Sequence, residues 1–206
     1  MTITTAHKQS VSIATRTIRT ALLLLVALFT MASCSESDGN EQEYADWQNR
    51  NETYFESIYS QAEAAIANGD TSWKIIRAYT KKSSTTTHTD FIVAHVTTTG
   101  EGTESPVYTQ TVEVHYRGYL IPSKSYSGGL QFDSSWEGDY NLDTMTAASG
   151  TAGSFVDGFS TAVMNMHSGD RWMVYIPYQL GYKTTDNGSV PAYSTLIFDL
   201  TLATFK

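Results

Sequence analysis

The sequence has a single cysteine and few positive charges, and both shortages exclude classes of protein. Only Cys34 of the 206 residues is a cysteine, so the chain cannot form an intramolecular disulfide. It contains 13 Lys and Arg against 21 Asp and Glu, and its formal net charge is −8. An acidic chain of this kind is a poor partner for nucleic acids and for anionic lipid headgroups. We therefore expect no nucleic-acid ligand.

Motifs for nucleotide, metal and nucleophile chemistry are also missing from the sequence. It contains no P-loop, no dinucleotide-binding glycine fingerprint and no nucleophile elbow. Four histidines show no metal-ligand spacing, and we predict ordinary surface or edge positions for them: His88, His95, His115 and His167. We therefore assign no metal site and no cofactor motif to this sequence.

The N-terminus carries the pattern of a signal peptide. Its apolar run, Leu22–Phe29, is too short to span a membrane and follows a positively charged segment with Lys8, Arg16 and Arg19. We assign residues 1–33 to this signal and exclude them from the fold. Without its three positive residues the mature chain has a net charge of −11.

The end of the signal resembles that of a bacterial lipoprotein. Met31-Ala32-Ser33 leads to Cys34, which in such a lipobox becomes the lipid-modified first residue of the mature chain. Two or three acyl chains hold a protein stably at a membrane, whereas one does not. We therefore expect a lipid anchor at Cys34 and a place in the cell envelope, on the outer membrane, either periplasmic or surface-exposed. The alternative is an ordinary secretory signal followed by a chance thiol.

An acidic tether is predicted between the anchor and the folded part, over residues 34–43. Its run Ser35-Glu36-Ser37-Asp38 directly follows the cysteine. In Bacteroides-like bacteria an acidic run in this place resembles a surface-export signal. The alternative is a solvated linker without a signal, and the two are compatible.

Residues 44–105 are predicted to form an extension of one helix and two strands. Apolar residues follow helical spacing over Tyr44–Ala67, and a stop signal comes next. Trp73–Tyr79 and Phe91–Val96 have the composition of strands. The helix either forms a dimer interface or packs against its own domain. We favour the second and expect a monomer.

A helix followed directly by a strand organises the remaining segment, 106–206. Four apolar residues from position 155 onward recur at helical spacings of four, four and three: Phe155, Phe159, Val163 and Met166. After Ser168-Gly169-Asp170 the period becomes two, with Trp172, Val174 and Ile176 on one side. Half-buried antiparallel strands are predicted over 111–120 and 196–202. These patterns indicate an α+β fold.

Five segments of this part resemble the FKBP-type peptidyl-prolyl isomerases. In order they are VEVHYRGYL, FDSS, FVDGFSTAVMNMHSGDRWMVYIP, LGY and VPAYSTLIFDLTL. The resemblance implies a twisted antiparallel β-sheet wrapped around a short α-helix, here with an N-terminal helical extension. Together with the lipobox, it is similar to a lipoprotein form of Bacteroidetes type. It implies isomerisation of X-Pro bonds in proline-containing polypeptides, no cofactor, and binding of a macrolide of the FK506 type.

Carried over by position, the resemblance assigns an apolar aromatic pocket. The residues assigned to catalysis are Tyr116, Phe132, Asp133, Val156, Phe159, Tyr182 and Phe198. The residues assigned to substrate binding are Phe155, Leu196, Val190 and Tyr140. The family usually has Trp where this chain has Phe159 and Ile where it has Val156, and both changes enlarge the pocket.

The resemblance thus implies an isomerase that helps extracytoplasmic proteins to fold. One alternative is an FKBP-like binding or holdase module with little turnover. Another is an envelope interaction protein in which the N-terminal helix is the functional surface and the C-terminal segment is a stable base.

Overall fold

Residues 42–81 and 87–206 are described by the computed structural model. Every element below belongs to one compact unit, residues 44–206. Its longer elements are α1 (Trp47–Ala67), β1 (Trp73–Arg77), β2 (Phe91–Thr98), β3 (Thr111–Tyr119), β4 (Gln131–Ser134), β5 (Ala148–Thr151), α2 (Asp157–Val163), β6 (Arg171–Ile176) and β7 (Leu196–Phe205). Single turns of 3₁₀ helix cover His88–Asp90, Ala152–Ser154 and Tyr178–Leu180.

The predicted signal peptide and anchor lie outside the described residues. This holds for residues 1–33, for Cys34 and for all but the last two residues of the tether 34–43. Over the two described ranges, no helix combines the length and the apolar character needed to cross a membrane.

One seven-stranded antiparallel sheet forms the body of the unit, as the alternating pattern of the sequence predicts. Its order is β1-β2-β6-β7-β3-β4, and β5 pairs with β3 beyond β4 along the same strand. In β6 the alternation places Trp172, Val174 and Ile176 on the buried face, each at most 1% exposed. Opposite Trp172 in β7 lies Leu200, which is fully buried. The strand predicted over 196–202 is confirmed and continues to the end of β7.

Helix α2 lies on the buried face of this sheet but is shorter than the spacing predicts. It begins at Asp157, because Phe155 and Val156 have extended backbones with ψ of 179° and 149°. It ends when the N–H of Asn165 bonds to the carbonyl three residues before it, on Ala162, at 2.9 Å. Met166 is fully buried although it follows the helix. The periodicity of four therefore marks one packing face that is only partly helical.

The predicted extension 44–105 is continuous with the same sheet. Its strand β2 pairs with β6 along most of its length and is an inner strand, whereas β1 pairs with β2 and forms an edge of the sheet. Helix α1 packs against the unit to which it belongs: Trp47 Nε1 donates to Ser194 Oγ at 2.9 Å, and the buried Asn51 accepts from the Thr195 N–H at 2.7 Å. The helix is thus fastened to the segment that leads into β7.

Candidate active site

A cavity of about 310 Å³ opens between the first turn of α2 and the facing strands β3 and β7. Tyr116 on β3 and Phe198 on β7 reach it because both occupy the face of the sheet that α2 covers. Asp133 enters from β4 and Tyr182 from the loop after β6. The complete lining is Tyr116, Asp133, Ser154, Phe155, Val156, Phe159, Tyr182 and Phe198.

Phe159 forms the floor of this cavity. It is 4% exposed and contacts the rings of Phe155, Phe198 and Tyr116 at centroid distances of 4.8, 5.1 and 5.9 Å. The contacts with Phe198 and Tyr116 are edge-to-face, with interplanar angles of 84°. Aromatic pairs prefer this geometry, which places the positive ring edge against the negative face. The floor is consequently a rigid apolar surface.

The close approach of Phe198 to its neighbours depends on Gly118 in β3, which is paired with it across the sheet. A Cβ atom at this position would lie 2.5 Å from Phe132 Cζ and 2.8 Å from Phe198 Cε1. The two phenylalanine rings therefore meet above a residue without a side chain, at 5.6 Å and nearly perpendicular. Glycine at this point allows the aromatic wall to close.

A hydrogen bond joins the two polar groups at the mouth of the cavity. The hydroxyl of Tyr116 donates to Asp133 Oδ2 at 2.9 Å, while the N–H of Ser134 donates to Oδ1 at 2.8 Å. The carboxylate is exposed, yet both of its oxygens are held. Burial, and then the hydrogen bond to Asp133 and its charge, raise the pKa of Tyr116 to about 12. Tyr116 is thus a neutral donor at any physiological pH.

Two further polar groups face the cavity. Val156 precedes α2, and its carbonyl accepts from the Ser160 N–H at 3.0 Å. Among the hydrogen bonds of the described ranges, none uses the Val156 N–H, as is usual for the first donors of a helix. The hydroxyl of Tyr182 comes from the opposite side. Burial, followed by the charge of Asp133, raises the pKa of Tyr182.

Three of the predicted pocket residues lie behind the walls and not on the cavity. Phe132 supports Phe198 from the side, as described above. Leu196 is fully buried, and its Cδ1 lies 3.0 Å from the place of a Cβ on Gly181, in the loop that carries Tyr182. Val190 is 3% exposed and pairs with Asn187 in the same loop. These three residues support the walls of the cavity and do not line it.

Tyr140, expected as an aromatic wall, lies elsewhere. Its hydroxyl is 3.0 Å from Thr201 Oγ1, and the guanidinium of Arg171 lies 3.7 Å from its ring centroid. Thr201 pairs with His115 across the sheet. His115 is buried, at 5% exposure, and not at the surface as predicted. The physical reason for both differences is that the loop after β4 folds back over the outer face of the sheet.

Sequence reasoning missed one residue of the lining. Ser154 ends the 3₁₀ turn before α2, and its hydroxyl donates to the Thr151 carbonyl at 2.8 Å. A serine just before an apolar run of helical spacing is a usual signal for the start of a helix. Its contribution to the cavity depends on the extended backbone of the next residue, which the helical spacing conceals.

A second cavity of about 320 Å³ opens beside β1 and β2. Its lining is mostly polar, unlike the aromatic lining of the first cavity. Four of its eleven lining residues are threonines, and the others include Lys74, Asp170 and Trp172. No residue assigned to the pocket belongs to it. Across residues 42–81 and 87–206, no group of three or more His, Cys, Asp or Glu side chains is arranged to hold a metal ion.

The described residues thus form a short helix over an antiparallel sheet, with an open aromatic cavity at the helix start. Comparison with known proteins gives the family. The sequence profile of the FKBP-type peptidyl-prolyl cis-trans isomerase family matches residues 102–203. FK506-binding protein 1 of Aspergillus oryzae is 33% identical over 110 residues, which make up 52% of this chain and 91% of that protein. The chain belongs to the FKBP-type peptidyl-prolyl cis-trans isomerase family.

Other relatives differ more in length. The macrophage infectivity potentiator of Trypanosoma cruzi is 34% identical over 108 residues, which cover 52% of this chain and 49% of that protein. The chain thus spans about half the length of that relative. Among solved structures, the three FKBP domains of wheat FKBP73 superpose with a TM-score of 0.50 at 22% identity, covering 65% of this chain and 51% of that chain. This likeness shows the fold.

Proposed function

We propose that the protein is a peptidyl-prolyl cis-trans isomerase that acts on proline-containing polypeptides. The observation that carries the proposal is the cavity itself: an aromatic floor at Phe159, a free backbone donor at Val156 and two phenols at its walls. Membership of the isomerase family supports it.

The chemistry fits a site of this composition. Rotation about an X-Pro bond crosses a barrier of about 20 kcal/mol because the twisted amide loses its resonance. No bond breaks, so the site needs shape and a few polar contacts. The twisted amide has lost much of its polarity and is better served by an apolar surface than the planar amide is. Catalysis is the preferential binding of the twisted form.

Each wall has a distinct role in this proposal. The proline ring lies on Phe159, and the Val156 N–H donates to a substrate carbonyl next to the proline. The Tyr182 hydroxyl donates to a second carbonyl. Asp133, held by Tyr116, orients the neighbouring polar groups at the mouth of the cavity and transfers no proton. Because each contact is a single hydrogen bond or ring contact, removal of one should cost about 0.5 to 1.5 kcal/mol of transition-state binding.

A direct assay of cis-trans exchange tests the activity. Exchange rates of a panel of peptides that differ in the residue before proline are measured by NMR with and without the purified chain. We expect acceleration for at least one X-Pro sequence and its inhibition by a macrolide of the FK506 type. If the chain binds the peptides but accelerates none of them, it is a binding or holdase module. If it neither binds nor accelerates, the proposal fails.

The proposal extends to the place of action. We infer that Cys34 carries a lipid anchor, in a lipoprotein of the type found in Bacteroidetes, and that the monomeric isomerase assists the folding of extracytoplasmic proteins at the cell envelope. The lipobox before Cys34 and the positively charged, apolar segment that precedes it support this. Fractionation of cells that express the wild type or Cys34→Ala tests it. Wild-type protein should sediment with the outer membrane, and Cys34→Ala should become soluble; equal membrane retention of both would refute the anchor.

A further inference from the structure

An exposed aromatic surface adjoins the candidate active site. Six large hydrophobic side chains of the described ranges are strongly exposed, and three of them cluster here: Tyr79, Val107 and Tyr108, at 42, 59 and 51% exposure. The rings of Tyr79 and Tyr108 lie 5.6 Å apart with an interplanar angle of 56°. We call these three residues the tyrosine ledge. Tyr79 comes from the segment that precedes the part matched by the family profile.

The ledge is continuous with the cavity through the chain itself. The ring of Tyr108 lies against Gly153, where a Cβ would be only 2.3 Å from Tyr108 Cε2. The Gly153 N–H donates to the Tyr108 carbonyl at 2.9 Å. The next residue, Ser154, lines the cavity. A polypeptide whose proline occupies the cavity therefore has the ledge beside its flanking residues.

The other tyrosine is fixed to helix α2. The Tyr79 N–H donates to Thr161 Oγ1 at 3.3 Å, and the adjacent Thr80 hydroxyl donates to Asp157 Oδ2 at 3.2 Å. The backbone around Tyr79 is thus tied to α2, and the ring of Tyr108 packs against Gly153, so the ledge is held beside the start of the helix before a ligand binds. Preorganised side chains lose less conformational entropy on binding than free ones.

The charge beside the ledge is negative. Partial burial, followed by the carboxylate of Asp157, raises the pKa of Tyr79. The nearby Lys81 is engaged in an ion pair with Asp90 at 3.3 Å. Exposed aromatic faces attract cations, and guanidinium groups also stack on them. A carboxylate at the edge of two such faces adds to that preference.

We propose that the tyrosine ledge is a second subsite that binds an arginine or lysine side chain of the substrate polypeptide, near the proline that occupies the cavity. This inference rests on the proposed isomerase function, because it takes the polypeptide in the cavity as the source of the basic residue. Tyr79 lies before the residues matched by the family profile, so that segment would take part in substrate selection.

The test uses peptides that share one X-Pro bond and carry arginine, leucine or glutamate at successive positions on either side of the proline. Exchange is measured by NMR and binding by fluorescence anisotropy of labelled peptides. At one position we expect arginine to improve both affinity and kcat/KM over leucine by about two- to fivefold, the range of an exposed cation-π contact. Glutamate should be the weakest of the three, and the arginine advantage should shrink as salt is added.

Variants assign the effect to the ledge. In Tyr108→Leu, Tyr79→Leu and the double variant, the ratio of arginine to leucine peptide should fall toward one. Tyr126→Leu is the matched control, since Tyr126 is 44% exposed and lies outside the cavity lining. It should keep the ratio of the wild type. Circular dichroism checks that each variant is folded. The comparison of peptides on the wild-type protein tests the proposal even if a variant does not fold.

Each outcome decides the matter. Equal binding of arginine and leucine peptides, a preference for leucine, or an arginine advantage that survives in all folded ledge variants would overturn the proposal. If no peptide is isomerised, the anisotropy data still separate the two claims. A ledge-dependent arginine preference would then uphold the subsite while the isomerase proposal falls, and its absence would remove both.

Discussion

The phenol of Tyr116 and the carboxylate of Asp133 form a 2.9 Å hydrogen bond across the mouth of the cavity, joining β3 to β4. The bond aims an otherwise exposed carboxylate at the site and holds the tyrosine ring edge-on against Phe159. The polar and aromatic parts of the site are therefore one connected arrangement. A substitution of either residue should therefore change the position of the other.

The pH dependence of stability is expected to report this pair. The pKa of Tyr116 is about 12 in the folded protein against 10.0 for an ordinary tyrosine. A raised pKa contributes stability that is complete below pH 10 and is lost as the pH rises from 10 to 12. The free energy of unfolding of the wild type should therefore fall more steeply through this window than that of Tyr116→Phe. Urea denaturation at successive pH values measures both, and parallel curves would contradict the assignment.

The aromatic floor is tested by Phe159→Leu. Leucine keeps an apolar side chain but loses the ring contacts with Phe155, Phe198 and Tyr116. We expect kcat/KM for the best peptide to fall about two- to tenfold, the range of one or two aromatic pair energies, with about 1 kcal/mol lost in stability.

Val163→Ala is the control for that experiment. Val163 is fully buried on the same helix and does not line the cavity. It should cost about 2 kcal/mol of stability, from the lost methyl groups and the space they leave, while the folded protein keeps its turnover. Equal losses of turnover in the two variants would show that Phe159 acts only through helix packing.

The alternation of the strands was enough to predict most of the sheet. The residues of β6 and β7 that are predicted on the inward face are buried, among them Trp172, Leu196 and Leu200. Strands β4 and β5 escape prediction because they are four residues long and contain serine, glycine and threonine. Their place is fixed by pairing with β3, which is a tertiary effect.

The site divides along a similar line. The positions carried over from the resemblance bring together Tyr116, Asp133, Phe159 and Tyr182 in one cavity. Tyr140 was misplaced because an aromatic residue in a long loop can pack on either face of a sheet. The sequence does not show that Arg171 lies on the outer face, where its guanidinium stacks on the ring of Tyr140. Such contacts decide which face of the sheet a loop covers, and the spacing of residues in the sequence does not predict this.

Removal of one hydroxyl tests the wall opposite α2. Tyr182→Phe keeps the ring at the cavity and deletes the donor proposed for a substrate carbonyl. A neutral hydrogen bond contributes about 0.5 to 1.5 kcal/mol, so kcat/KM should fall about two- to tenfold while the unfolding midpoint in urea stays almost unchanged. Tyr193→Phe, in the same loop region and packed on Tyr178 at 5.2 Å, is the control and should keep full turnover. A loss of stability in Tyr182→Phe equal to its loss of transition-state binding would assign the hydroxyl a structural role instead.

The attachment of α1 is tested at Asn51, which is fully buried. Its amide oxygen accepts the Thr195 N–H at 2.7 Å, and its amide nitrogen donates to the Trp47 carbonyl at 2.7 Å. Asn51→Ala leaves a buried N–H and a carbonyl without these partners, and an unpaired buried group costs about 1 to 3 kcal/mol. We expect urea denaturation to show a loss in that range, with kcat/KM of the folded protein unchanged because α1 contributes no residue to the cavity lining.

Asn49→Ala separates this effect from a general weakening of the helix. Asn49 lies on the same helix but is exposed and bonds only to the nearby Asp46 in the described structure, at 2.8 Å. Surface substitutions of this kind change stability by about 0.5 kcal/mol or less. If Asn51→Ala and Asn49→Ala lower stability equally, the buried amide does not fasten α1 to the sheet. If instead Asn51→Ala keeps its stability but loses turnover, the helix takes part in substrate binding, and the division of labour between extension and cavity argued from these contacts would be wrong.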